Sequence, residues 1–344
     1  MELSSRKQAV LSAIIKAYIE TGEPVGSKLL TEFIDNAPSS ATLRNEMSEL
    51  CNLGLLTQPH TSAGRLPTSR GLNLYLSSLM GSPQLSLSAR RFIDNSFEQM
   101  NCDPELIPAA AGEMLSELTG LPVIVSCMTH GDVRIKKVEL VRVSKSSLVL
   151  VLITDDGRIR NRVFRMAGGI DRGLYSAYKE ICLKRLSGMS LHELTPAYLQ
   201  SVAAFSGINA FSLMPLLTAV FELVEEMGDS VLNLYGESRL FNICRDDETA
   251  RRIASLVDRK THIESVLYPS SDKVGVIFGK DTGISELQSH ILVTSKFGVG
   301  THYEGAIGVI GPYRISYDQV MPSIEYIADK LTDVMTSALK DMED

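Results

Sequence analysis

The chain lacks the patterns from which an enzyme or a metalloprotein is usually read. His192-Glu193-Leu194-Thr195-Pro196 has no second histidine one helical turn on, and Pro196 would break the helix that a paired-histidine zinc site needs. Gly279-Lys280-Asp281 has no hydroxyl after the lysine and no glycine at the required distance before it, so it suits a strand-ending turn better than a phosphate loop. Gly298-Val299-Gly300 lacks the third glycine of a dinucleotide fingerprint, and no Gly-x-Ser-x-Gly elbow occurs. The six histidines are scattered. No catalytic residue, metal site or cofactor is therefore expected.

Other absences narrow the class further. No run of eighteen apolar residues occurs and Met1–Val10 has no apolar stretch, so neither a membrane span nor a secretion signal is expected. The five cysteines, Cys51, Cys102, Cys127, Cys182 and Cys244, are far apart, odd in number and without a Cys-x-x-Cys pair. That excludes a disulfide framework and points to reduced thiols in the cytoplasm. Excess positive charge is missing too. A net charge of −7 argues against indiscriminate nucleic-acid binding, though a specific reader depends on where its charge sits.

What is present is ordinary globular material, 344 residues with 44% hydrophobic and 22% charged, enough for two or three domains. Residues 1–80 are neutral, with Arg6, Lys7, Lys16, Lys28, Arg44, Arg65 and Arg70 against Glu2, Glu20, Glu23, Glu32, Asp35, Glu46 and Glu49. The acidic balance belongs to the rest. Within this neutral head a helix is expected from residue 5 to 20, with Ser5 and Gln8 as a capping box and Gly22-Glu23-Pro24 as its stop. A short helix from Lys28 to Phe33, capped by Ser27, and a turn at Asp35–Pro38 follow.

Ser39–Leu53 is then a helix with two faces. Leu43, Met47, Leu50 and Leu53 recur at helical spacing, while Ser40, Thr42, Arg44, Asn45, Ser48 and Asn52 fall largely opposite. Arginine and asparagine are the side chains that fork onto guanine and adenine in the major groove. Alone, such a helix also fits an ordinary solvated amphipathic element. The context favours DNA: Gln58–Pro67 is a polar hairpin tip, and Thr68 opens a third helix with Leu72, Tyr75, Leu76 and Leu79 inward. Three helices and a hairpin make a winged helix-turn-helix. Ser40, Thr42, Arg44 and Asn45 are the expected base or near-base contacts. Ser39, His60, Thr61, Ser62 and Arg65 are the expected phosphate or wing contacts.

Three blocks carry a resemblance: Gly22-Glu23-Pro24-Val25-Gly26-Ser27, Ser39-Ser40-Ala41-Thr42-Leu43-Arg44-Asn45, and Gly54 to Thr68. With Val231-Leu232-Asn233, Gly308–Arg314 and Tyr326-Ile327-Ala328 further on, the sequence is similar to the HrcA family of heat-inducible transcription repressors. One departure is that Gly71 is followed by Leu72, Asn73 and Leu74 before Tyr75, where the family often places an aromatic sooner. The resemblance implies a homodimer that binds double-stranded DNA at an inverted-repeat operator called CIRCE, represses chaperone operons, lets go on heating and is linked to a GroEL-type chaperonin. It also implies an α+β multidomain fold: a winged helix-turn-helix, a GAF-like α/β domain and an inserted, mainly helical dimerising domain.

On that basis residues 1–80 are the DNA-binding head, 81–103 a connector, 104–165 with 263–344 the GAF-like domain, and 166–262 the insertion. Strands are expected at 123–126, 135–143, 148–154, 159–165, 273–279, 290–296 and 305–310, and a closing helix at 319–339. Arg158, Arg160, Arg162 and Arg165 are expected on a solvated sheet face that answers the acidic body. Leu213, Leu216, Leu217, Val220, Phe221 and Val224 form a stripe that is either internal core or a partner surface, and it is the candidate dimer interface. A metabolite-sensing regulator whose GAF-like body binds a ligand is the rival expectation.

Overall fold

The computed structural model describes residues 3–34, 38–60, 63–100, 105–129, 133–228, 231–258, 260–268, 274–298 and 303–343. Asp35–Ala37, Thr61, Ser62, Cys102, Lys273 and Val299–Gly300, which figure in the expectations above, lie outside the described residues. The architecture is α+β: a small helical head with a two-stranded wing, a five-stranded sheet and a three-stranded sheet.

The head begins with α1 (Ser5–Thr21), which turns Leu11, Ile14, Ile15 and Ala17 into the core. Its cap is Ser4, one residue before the expected box, accepting from the Lys7 N–H, while the Gln8 amide donates to the Leu3 carbonyl. Gly22 closes it in the left-handed region at φ 72°. The expected second helix is a single 3₁₀ turn, Leu29–Glu32, and Ser27 does not cap it. Instead the buried Ser27 hydroxyl lies 2.8 Å from that of Ser40. After α2 (Ser40–Asn52), β1 (Leu56–Thr57) and β2 (Leu66–Pro67) pair antiparallel as the wing. Thr68 caps α3 (Ser69–Leu74), which continues through a wider turn to Leu79. A Cβ on Gly71 would stand 2.1 Å from the Leu55 carbonyl oxygen, so only glycine lets α3 lie this close to the wing. Leu72 and Tyr75 fill the space behind it.

Within the expected connector a helix is fastened to the body. In α4 (Leu87–Glu98) Ile93 and Phe97 are buried, and Asp94 is 2.8 Å from the Lys330 ammonium and accepts from the Tyr326 hydroxyl at 2.7 Å. After α5 (Ile107–Thr119) and β3 (Val123–Thr129) the chain leaves the main sheet. There β4 (Ile135–Arg142), β5 (Ser147–Thr154) and β6 (Ile159–Arg165) form a sheet of their own, covered on one face by α6 (Arg172–Ile181), α7 (Pro196–Phe205) and α8 (Ala210–Gly228). The chain returns through β7 (Val231–Tyr235), α9 (Leu240–Ile243), α10 (Asp247–Ala254) and α11 (Lys260–Leu267). It ends with β8 (Gly275–Phe278), β9 (His290–Phe297), β10 (Tyr303–Pro312) and α12 (Tyr317–Glu343).

The large sheet runs β7-β3-β10-β9-β8 with every neighbour antiparallel. Alternation along β3 shows its two faces. Val123 and Val125 pack with α5 and α12, whereas Ile124 packs with α9–α11. The core under α5 and α12 is continuous with that of the head.

Packing therefore divides the chain differently from the expected boundaries. One apolar cluster runs from Val133 to Met227, so the strands between Ile135 and Arg165 belong with α6–α8 rather than with residues 263–344. Val231–Tyr235, expected inside the insertion, is instead a strand of the large sheet. The alternation of apolar residues locates strands but not their partners, and long-range pairing decided both points. The arginine row also needs correction. Arg158 is buried against Asp156 and donates to the Met227 carbonyl, while Arg160 pairs with Glu105 and Arg162 with Glu222 and Glu226. Of the four, only Arg165 is fully exposed.

Candidate nucleic-acid interface

The α2 helix forms because Ser39 accepts the Thr42 N–H at 3.2 Å, satisfying one orphan donor, and because Leu43, Met47 and Leu50 bury on one side. Its orientation on α1 is set by charge: the Lys7 ammonium lies 2.8 Å from Glu49 and 3.6 Å from Glu46. The hydrogen bond to the Glu49 carboxylate, reinforced by Glu46, holds the Lys7 ammonium protonated above the ordinary lysine range. Both acids are thereby engaged beside α1. Arg44, Asn45, Ser48 and Asn52 occupy the exposed side.

Arg44 and Asn45 are the open hydrogen-bonding groups of this surface. Among the described residues neither side chain makes a hydrogen bond or ion pair. The hydroxyls expected to reach bases are already committed. Ser39 and Thr42 bond each other at 3.0 Å, and Ser40 holds Ser27. These three position the first turn of the helix, where backbone N–H groups favour a phosphate.

The wing is fastened to the turn after α1. Val25 and Arg65 exchange both backbone hydrogen bonds at 2.9 Å, which adds a third short strand segment. A Cβ on Gly64 would stand 2.5 Å from the backbone of Pro24 and Val25, so this seam closes only around glycine. At the tip, the Ala63 N–H donates to the His60 carbonyl at 2.9 Å and the Gln58 amide donates to the Ala63 carbonyl at 3.0 Å, with the His60 ring exposed. Thr61 and Ser62, expected wing contacts, lie outside the described residues. Arg65 donates to the Ala63 carbonyl at 3.4 Å, and its buried Nε completes no hydrogen bond.

Helix and wing share a groove of about 340 Å³, walled by Ser27, Arg44, Gln58, Gly64 and Arg65. Arg44 and Arg65 are thus brought together, while Asn45 and His60 are exposed but do not line this groove. Gln58, part of the expected hairpin tip, is not among the expected contacts yet lines the groove. Its signal was its place directly after a strand whose other residues alternate inward and outward.

The stripe that the sequence leaves as either core or partner surface is core. Leu213, Leu216 and Val220 are fully buried within the chain, Leu217 and Val224 nearly so, and Phe221 is partly buried against the same cluster. What faces outward in this unit is the other side of β4–β6. Val141, Val149 and Val163 lie in one row across the three strands, with Ile153 opposite Ile159 beside them. Val141 is 51% and Val163 59% exposed. The signal was in β5, which is apolar on both phases of its alternation and so has two faces to cover.

Among the described residues no helix is long and apolar enough to cross a membrane, and no group of three or more His, Cys, Asp and Glu could hold a metal ion.

Comparison with known proteins identifies the family. The family model described as the HrcA protein C terminal domain matches residues 107–321. A relative from Clostridium perfringens named heat-inducible transcription repressor HrcA is 32% identical over 97% of this chain and 99% of its own. One of the same name from Acetivibrio thermocellus is 29% identical over 96% of each. A crystal structure of a hypothetical protein shares the fold at a TM-score of 0.66, with 24% identity, covering 98% of this chain and 100% of that one.

Proposed function

The chain belongs to the HrcA family of heat-inducible transcription repressors, and from that premise we propose that its head reads an inverted-repeat operator of the CIRCE type as one half of a two-fold dimer. In this reading α2 enters the major groove with Arg44 and Asn45 toward the base edges. The wing, through His60, Thr61, Ser62 and Arg65, follows the backbone, and the N-terminus of α2 with Ser39, Ser40 and Thr42 holds a phosphate. One observation carries it: Arg44 and Asn45 are exposed side by side on α2 with no side-chain partner among the described residues, and Arg44 shares a groove with Gln58 and Arg65 of the wing.

A titration tests it. Arg44→Ala costs about 1–3 kcal/mol against the operator and relaxes preference at one position in each half-site. Unchanged affinity for both operator and scrambled duplex would sink the assignment.

The second copy covers the outer face of β4–β6, because the Val141–Val149–Val163 row, Val151 and the Ile153–Ile159 pair expose apolar side chains across three strands, interrupted by Lys137, Glu139 and Asn161. Residues 133–228 then constitute the dimerising insertion, and the five-stranded sheet with α5 and α12 the GAF-like body. Heating weakens the joined units and releases DNA, and a GroEL-type chaperonin restores the competent state. Identical recovery of DNA binding after a heat pulse, with and without chaperonin and ATP, would overturn that last step.

A further inference from the structure

Where β10 ends against the head, a cavity of about 890 Å³ opens between Tyr18 of α1, the segment around α9 and α10, and the turn before β9. Its walls carry Arg245, Arg252 and Arg314, and the one acid lining it is Glu286, 3.7 Å from Arg252. Three guanidiniums thus face one lining carboxylate, with Asp246 also close enough to act on Arg252, in a part of the chain whose net charge is −7. Such a concentration does not follow from solubility.

The floor of the cavity is polar. His290 is 4% exposed, and its Nε2 lies 3.7 Å from the Cys244 sulfur. The ring meets polar backbone groups of Ile243 and Glu286, and burial favours its neutral form. Thr249, Ser285 and Ser289 add hydroxyls, and Tyr313 adds an aromatic wall.

We propose that this cleft binds an anionic metabolite bearing phosphate groups, of about nucleotide size, and that its occupancy sets how the head is held on the body. Guanidinium forks match phosphate oxygens in pairs, and hydroxyls complete the shell. The volume is that of a site for a small organic ligand rather than a lone ion. The route to the head is short. The Arg314 stem passes 3.2 Å from where a Cβ on Gly22 would stand, at the end of α1, and the turn that follows pairs Val25 with Arg65 of the wing. Only this consequence rests on the DNA reading above, since the binding itself is measured without DNA.

The experiment is calorimetric titration of the full chain with ATP, pyrophosphate, citrate and adenosine. Saturable binding of ATP and pyrophosphate is expected, with neither citrate nor adenosine binding. Arg245 is exposed and makes no ion pair among the described residues, so Arg245→Glu should leave the unliganded melting temperature unchanged and weaken ATP about tenfold or more. Absence of saturable binding, or equal affinity in the variant, overturns the site. Citrate binding as tightly as pyrophosphate overturns the phosphate class. ATP that binds without changing affinity for the operator overturns the coupling to the head.

Discussion

The head and the inserted unit meet solvent in opposite ways. On α2 the inward positions are aliphatic, and the outward side offers Arg44 and Asn45 with no internal partner. On β4–β6 the inward positions are aliphatic too, but the outward side also carries Val141, Val149, Val163, Ile153 and Ile159, set among Lys137, Glu139 and Asn161. A polar face with unspent hydrogen bonds fits a charged, hydrogen-bonding partner. An apolar face fits a surface like itself. One chain thus carries two unfinished surfaces of different chemistry, and the difference says which kind of partner completes each.

The contrast is broken most severely by charging the apolar face. Val149→Asp with Val163→Asp should leave a folded monomer in sedimentation, with operator affinity lowered roughly 10²–10⁴-fold because the second head no longer binds as a tethered partner. A dimer that persists would remove the proposed role of the sheet. Leu216→Ala, on the covered side, should do the reverse: the dimer stays, and the chain loses about 2–5 kcal/mol in urea denaturation through the cavity it leaves. If it instead yields stable monomers, the α8 stripe is the interface after all.

Smaller changes sharpen the polar side. Gly64→Ala drives a Cβ into the backbone of Pro24 and Val25, costing about 1–3 kcal/mol of overpacking. The wing shifts, so affinity should fall alike for every DNA sequence, unlike the position-specific loss at Arg44. An unaltered wing footprint would show that the seam yields.

The smallest effect is in pH. The hydrogen bond from Lys330, then that from Tyr326, holds the Asp94 carboxyl below its usual 3.8. Folding thus favours the ionised form, so its contribution is full above the ordinary value and is lost as pH falls through the lower folded one. Asp94→Asn should remove part of the acid dependence of the melting temperature below roughly pH 4. Identical acid curves would mean that α4 is held by Ile93 and Phe97 alone.

Local order was legible in the residues. Hydrophobic spacing, the Ser39 cap, the Gly22 stop and the Thr68 start placed α1, α2, the wing and α3 within a residue or two, because each depends on contacts a few positions apart. The three strands from Ile135 to Arg165 were legible for the same reason. Their sheet, the burial of Arg158, and the side of the insertion left uncovered were decided by pairing between distant segments, which no local period encodes. The cleft of Arg245, Arg252, His290 and Arg314 is the extreme case. Its residues are spread over seventy positions and become one site only when β10 folds back against the end of α1.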